Sequence, residues 1–437
     1  MSILASESNT PVTLTAPETA LTPINRLNSQ QNTWLLPDGV VDLLSDEAAK
    51  QEALRYQLTG LLVSHGYQLI SPPMIEYTES LLNHATEDLK RQTFKIIDQL
   101  TGRLMGVRAD ITPQIARIDA YAHQKSSKPN HVARYCYSGH VIYTLPKGLF
   151  GSRTPLQLGA EIFGLDSLAA DIELLDVLCI LLDSTDLVEQ SHIDIGHVAI
   201  FQTLSELANL SDELQQQFIE LYANKALPDL EALSQSLNEA GVTHANDFYV
   251  IGRYSNDLSK LQEQLSDAAK NHPTITQALS DLATLVQHLQ AKQMSVSIDI
   301  TELKSYHYHT GMVFNVYVGN ESLPMVRGGR FDNPHSDTPR PATGFSCDLS
   351  RWQDHIQVHA KPMTVLPYQL AQQVLHTPNH PDADSLHEAI AALREEGHRV
   401  IIALAEHDEP ADTTHYLQVA NGVWYLRSLN DSNSEEA

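Results

Sequence analysis

Residues 134–164, RYCYSGHVIYTLPKGLFGSRTPLQLGAEIFG, decide the fold. Tyr135 to Tyr143 is rich in aromatic and β-branched residues, Pro146 and Gly148 punctuate the polar segment after it, and Leu156 to Phe163 alternates apolar with polar positions. The pattern predicts two strands joined by a polar loop, the second one half-buried. A period of two points Gln157, Gly159 and Glu161 to one face, and Gly159 leaves space between an amide and a carboxylate. Such a face suits the floor of an amino-acid site, with Glu161 meeting an ammonium or a ring nitrogen. On its own the stretch is better read as a strand with one solvated face.

Around it lie 437 residues, enough for two or three domains and a large core. Lysines and arginines number 28 against 54 acidic residues, so the formal charge is 28 − 54 = −26. With no basic stripe to offset it, a nucleic-acid partner is excluded as an expectation. Cys136, Cys179 and Cys347 are far apart and form neither a disulfide framework nor a zinc knuckle. No apolar run reaches membrane-spanning length, and residues 1–30 read as a flexible polar leader without a secretory pattern, so a cytoplasmic location is expected. The expected organisation is a main domain over residues 31–360, a helical insertion over about 202–293, and a small α/β unit over 365–430.

Taken in order, Trp34 to Leu44 is a Pro/Gly turn, and Ser45 is expected to cap a helix that Gly66 ends. YQLISPPMIEY (67–77) alternates like an edge strand, and Gln92 to Val107 resembles a hairpin turning at Thr101-Gly102. Thr112 is a candidate cap and Pro113 a first helical residue. Ser167 to Leu182 reads as an apolar helix, and His192 to Phe201 as a strand entering a helix. Ile275, Leu279, Leu282, Val286 and Leu289 mark one amphipathic stripe. Strands resume at Val296, in MVFNVYV and in VRGGRFD, and PATGFSCDLSRW (341–352) reads as a turn opening a short helix. In the tail, HEAIAALREEGH predicts a helix, RVIIALA a strand, and VWYLRSL the end of another helix-like piece.

These motifs carry a resemblance. From Leu36 to Trp352 the chain is similar to histidyl-tRNA synthetase, a class II aminoacyl-tRNA synthetase, and more closely to that enzyme's non-catalytic paralogues, the regulatory subunits of ATP phosphoribosyltransferase. Pro37, Gly39, Asp42 and Leu43 match the opening turn, and the helix and strand ending at Pro73 resemble the dimerisation element called motif 1. Arg108 to Thr112 resembles Arg-Pro-Glu-Gly-Thr, Gln157 to Glu161 falls where the synthetase holds histidine, and Tyr308-His309-Thr310-Gly311 resembles its Tyr-Tyr-Thr-Gly signature. Gly328 to Asp332 and the motif 3-like Gly344 to Arg351 complete the series. The resemblance implies an α+β fold, an antiparallel sheet flanked by helices, and a histidine site at Asp110, Thr112, Gln157, Glu161, Lys304, Tyr308, His309, Gly344 and Arg351.

Departures concentrate on the nucleotide side. Ile142-Tyr143 stands where the synthetase has Phe-Arg, and the phenol cannot replace a guanidinium on the α-phosphate; losing one such donor costs on the order of 10²–10³ in rate. Asp348 and Ser350 replace glycine and glutamate, placing a carboxylate where ATP would meet the helix. Lys304 aligns with the catalytic arginine, a point charge for a planar fork. His307 and His309 form an H-x-H without a further ligand at metal spacing, so no metal is expected, nor any cofactor. From Leu366 to Ala437 three arginines face twelve acidic residues, which disfavours tRNA. The expectation is a catalytically silent dimer that binds L-histidine and assembles with a short-form ATP phosphoribosyltransferase catalytic subunit in histidine biosynthesis. The competing class is an enzyme, a diverged histidyl-tRNA synthetase or an ATP-dependent amino-acid ligase, against which Tyr143, Asp348 and the acidic tail count.

Overall fold

The computed structural model describes residues 35–125, 131–146, 151–303, 306, 308–336, 340–356 and 361–429. They form two compact units, one ending at His355 and one beginning at Ile356. In the first unit the strands are β1 (Gln68–Leu69), β2 (Ile75–Tyr77), β3 (Phe94–Ile97), β4 (Leu104–Val107), β5 (Ala133–His140), β6 (Leu156–Phe163), β7 (Ser191–His197), β8 (Ser295–Ile298), β9 (His309–Val318), β10 (Val326–Asp332) and β11 (Pro341–Asp348). Eight of them make one sheet in the order β1-β5-β6-β11-β10-β9-β7-β8, while β2, β4 and β3 make a separate small sheet. The large sheet is antiparallel through its centre and parallel at both ends, where β1 joins β5 and β8 joins β7. The α+β class holds, with a mixed rather than purely antiparallel sheet.

Strand β6 sits between β5 and β11 and all eight of its residues are buried. This corrects the half-buried expectation: the helix Leu168–Asp183 packs on β6 from one side and the helix Thr112–Lys125 from the other. The polar residues Gln157 and Glu161 therefore lie in an interior, where each needs partners. PATGFSCD is the neighbouring strand β11 and not a turn. Its proline takes the first position of the strand and its glycine is required by Glu161, so both apparent breakers have other causes.

Local readings shift elsewhere as well. The helix Ser45–Ser64 forms, but Leu44 holds the cap position without a side-chain hydrogen bond, so Ser45 is not the cap. The stretch 67–77 divides between two sheets, β1 and β2, and the switch falls at the double proline. The hairpin β3–β4 forms as expected with Gly102 at φ +71°. From Val198 to Ala291 the chain is helical throughout its regular segments, and the last helix, Pro273–Ala291, buries Ile275, Leu279, Leu282 and Leu289. Behind β6 and β11, Arg340 forms a forked ion pair with Asp119 at 2.6 and 2.9 Å, both side chains at most 4 % exposed. Asn333 donates to the same carboxylate at 3.1 Å.

The second unit is a four-stranded sheet of β12 (Met363–Leu366), β13 (Arg399–Ile402), β14 (His415–Ala420) and β15 (Val423–Ser428), ordered β13-β12-β14-β15. Helices Tyr368–Leu375 and Ala383–Glu395 cover it through Leu366, Leu386, Ile390 and Leu417. The helix-like reading of VWYLRSL is corrected: it is β15, paired antiparallel with β14 across Asn421-Gly422, both in the left-handed region at φ 52° and 76°. Among the described residues no helix is long and apolar enough to cross a membrane.

Candidate functional site

The site is built by three neighbouring strands and one helix start. In the register of the large sheet Tyr137 of β5 lies opposite Gly159 of β6, and Gly344 of β11 lies opposite Glu161. The space over Gly159 is not empty for a ligand, as expected from the sequence, but filled by a side chain: a Cβ there would lie 2.3 Å from the Tyr137 phenol. Gly344 likewise makes room for Glu161, since a Cβ on it would overlap the carboxylate oxygen Oε2. Each glycine is thus a seat for the side chain across from it, and neither is a ligand contact in itself.

The Tyr137 hydroxyl, placed this way, reaches the Thr112 hydroxyl at 2.7 Å and donates to Glu161 Oε1 at 3.3 Å. Thr112 donates to the same oxygen at 3.1 Å, so its hydroxyl faces the interior instead of capping the helix it begins. Asp110 Oδ1 accepts from the Thr112 amide at 3.2 Å and from the Gln157 side chain at 2.8 Å, and Gln157 in turn accepts from the Ile111 amide at 3.0 Å. Asp110, Thr112, Gln157 and Glu161, which the resemblance assigns to a ligand site, are therefore one connected network. Tyr137 belongs to it too and was missed; its position opposite a glycine in a predicted strand pair was the available signal.

Glu161 is 1 % exposed, and its Oε2 has no hydrogen-bond partner among the described residues. Burial pushes its carboxyl up to about 8, the nearby Asp110 charge adding to this and the Thr112 and Tyr137 hydroxyls opposing it. The phenol of Tyr308 is raised as well, first by burial and then by the charges of Glu161 and Asp110, so it lies near this network. Its ring stacks on Phe331 at 4.9 Å and meets the His309 ring edge-on at 5.2 Å. His309 packs under Gly329, where a Cβ would lie 2.8 Å from the imidazole.

One expected member, Arg351, stands apart from this network. Arg351 donates to Glu321 at 2.8 Å and to the carbonyls of Leu323 and Pro324 at 2.7 and 2.9 Å, clamping a surface turn. Lys304 and the neighbouring His307 lie outside the described residues. On the nucleotide side, Tyr143 is 8 % exposed in an apolar cluster with Ile111, Val141 and Tyr137. Asp348 caps the short helix Leu349–Trp352 by accepting from the Ser350 amide at 2.9 Å, so it serves the fold where the sequence suggested only repulsion. Arg108 is a buried strut, donating at 2.8 Å to the carbonyls of His140 and Pro72. Among the described residues no group of three potential metal ligands gathers.

Fold and network together define the class, a protein of the histidyl-tRNA synthetase-like, class II architecture. The family description for histidyl-tRNA synthetase matches residues 39–351, and that for the ATP phosphoribosyltransferase subunit HisZ C-terminal domain matches residues 375–427. An ATP phosphoribosyltransferase regulatory subunit from Psychrobacter arcticus is 51 % identical over 401 residues, covering 90 % of this chain and all of that one. Among solved structures, an ATP phosphoribosyltransferase regulatory subunit/histidyl-tRNA synthetase from Bacillus halodurans shares the fold with a TM-score of 0.67 at 20 % identity, over 85 % of this chain and 92 % of that one. A chain of the ATP phosphoribosyl transferase HisG:HisZ complex from Thermotoga maritima matches with a TM-score of 0.52 at 18 % identity, over 70 % of this chain and 98 % of that one. The chain belongs to the family of ATP phosphoribosyltransferase regulatory subunits.

Proposed function

We propose that this protein works as the non-catalytic subunit of an ATP phosphoribosyltransferase, joining a short-form catalytic subunit, and that the Glu161 pocket binds free L-histidine and biases the partner's activity. The observation that carries the ligand is Oε2 of Glu161, buried without a partner among the described residues, beside Tyr308 and Asp110. A buried carboxyl of this kind is costly until a donor or cation meets it. Histidine brings an ammonium for the Asp110, Thr112 and Gln157 side and an imidazole for Glu161 and Tyr308. Tyr143 in an apolar cluster and Asp348 spent on a helix cap support a subunit that does not activate amino acids with ATP. Self-association through the outward face of the helix Ser45–Ser64, where Tyr56 is 83 % exposed, belongs to the same reading.

The test is reconstitution with a short-form catalytic subunit. The two chains are expected to co-purify, and histidine is expected to change the complex's activity in a way that Glu161→Ala and Gln157→Ala abolish. Inhibition that survives both substitutions would move the effector site onto the catalytic chain. Histidine-dependent pyrophosphate exchange by the isolated protein would overturn the non-catalytic reading.

A further inference from the structure

The face of the large sheet that carries Gln157 and Glu161 continues beyond them. Residues directly opposite one another in a sheet point to the same side. The pairing Gly159–Ser346–Arg327–Asn315 crosses β6, β11, β10 and β9 in one row, which sets three polar side chains beside the Glu161 pocket. Val326, on the reverse side of β10, is fully buried, whereas Arg327 is exposed and Ser346 and Asn315 are half-buried. The pocket face is thus closed around Glu161 and Phe331 and opens at Arg327. The side chains of Ser346, Arg327 and Asn315 make no hydrogen bond or ion pair among the described residues. Other charges on this side are already engaged. Asp348 caps its helix, and Asp194, further along the same row, accepts from Ser297 and from His192. Arg108 donates to two carbonyls, and Arg153 to those of Tyr143 and Asp38.

We propose that Arg327 is the anion subsite of the Glu161 pocket, receiving the carboxylate of the bound amino acid while Ser346 and Asn315 complete its hydrogen bonds. Under the histidine reading above, on which this rests, the carboxylate is the one charged group that Asp110, Gln157 and Glu161 leave unmet. The register supplies the geometry. Glu161 Oε2 lies over Gly344 of β11, where a Cβ would overlap it. Gly344 pairs with Gly329, so Arg327, two residues before Gly329, is the diagonal neighbour of Gly344. Diagonal neighbours stand about 7–8 Å apart, within reach of a long side chain. A single amino acid bridges that span, its ring at Oε2 and its carboxylate at the guanidinium, with the ammonium turned toward Gln157 and Asp110.

Electrostatics favours a carboxylate over a phosphate. Burial raises the Tyr143 phenol, the charges of Asp110 and Asp348 add to this and that of Arg327 opposes it, so all three charged groups gather around one hydroxyl. With Glu161 beside them, three acids share this side with one unpaired cation among the described residues. A zwitterion brings one charge of each sign to that set, whereas a polyphosphate brings charges that the acids repel. The planar guanidinium matches a carboxylate through two parallel hydrogen bonds. An amine or amide with the same ring offers it nothing, so the pocket selects free amino acids. Because Arg327 stands at the open end, solvent screening limits the discrimination to about tenfold.

Calorimetry on the full-length chain in phosphate-free buffer tests this, with L-histidine and L-histidinamide as probes. The wild type is expected to bind L-histidine about tenfold more tightly than the amide. Arg327→Ala should weaken L-histidine by that factor and leave the amide unchanged, and Arg327→Lys should recover part of the loss, since a point charge keeps the attraction without the fork. Circular dichroism melts show whether the variants fold. If they do not, the wild type decides alone, and equal affinity for the two probes overturns the proposal. Equal losses of both probes in Arg327→Ala also overturn it, because the side chain then shapes the pocket without meeting a carboxylate. Unchanged histidine affinity in that variant overturns it too, and a loss of inorganic phosphate or pyrophosphate binding in its place gives the cation to a phosphate group. A carboxylate preference that vanishes in Lys304→Ala and survives Arg327→Ala moves the subsite to Lys304. A wild type that binds neither probe, alone or with a catalytic subunit, ends the histidine reading itself, a failure distinct from one confined to Arg327.

Discussion

Replacing Glu161 by glutamine keeps the shape of the side chain and removes its titration. In the folded chain burial lifts the carboxyl from an ordinary 4.5 to about 8, whereas the unfolded chain keeps the ordinary value. Folding therefore takes up a proton throughout that window, and stability falls as pH rises from about 4.5 to about 8, then levels. One pKa unit is worth about 1.4 kcal/mol, so the cost of holding Glu161 inside grows by about 2 kcal/mol between pH 6 and pH 8. Glutamine carries a constant cost over the same range, which cancels in the comparison. Urea unfolding of both proteins at these two pH values, without histidine, should show the variant gaining about 2 kcal/mol on the wild type. Saturating histidine should shrink the wild-type pH dependence, because a cation or donor at Oε2 lowers the carboxyl toward its ordinary range. Parallel pH profiles for wild type and variant would refute the reasoning, since Glu161 would then be ionised in the fold and already paired.

Three further outcomes are expected from the same contacts. Gly344→Ala places a methyl group on Glu161 Oε2 and should cost about 1–3 kcal/mol of stability in urea unfolding while weakening histidine binding in calorimetry by tenfold or more. Arg340→Met strands the buried Asp119 carboxylate and should destabilise the first unit by about 3–5 kcal/mol, measured by thermal or urea melts. Tyr143→Arg should fail to create pyrophosphate exchange and should lower the melting temperature, because the new guanidinium enters an apolar cluster at a position 8 % exposed to water.

Much of this arrangement was legible in the sequence, for reasons that differ by element. The pair β5–β6 announced itself by aromatic and β-branched runs around a Pro/Gly loop, and the order of motifs placed Asp110, Thr112, Gln157 and Glu161 together. Alternation misled at β6 because a central strand covered from both sides can still carry polar residues when they bond to one another, and such pairing is invisible to a periodicity count. PATGFSCD looked like a turn because its proline and glycine are local breakers. Their actual causes, a strand start and a seat for a side chain of the neighbouring strand, are tertiary. The tail's VWYLRSL was a different failure: Asn421-Gly422 before an alternating run is a strong hairpin signal, and Trp424 and Leu426 face inward, alternating with the exposed Val423, Tyr425 and Arg427. Arg351 was placed by motif alone, and a motif does not say which way a long side chain turns.

The ends of the large sheet carry one more consequence. Strand β1 is two residues long and β8 four, while the interior strands run to seven, eight and ten. An outermost strand offers its unpaired amides and carbonyls to any passing strand, and here that offer is cut to a few groups on each side. Growth of the sheet from molecule to molecule has almost no template to start from. At the ends of this sheet, association is then expected to run through side chains rather than by lengthening the backbone ladder.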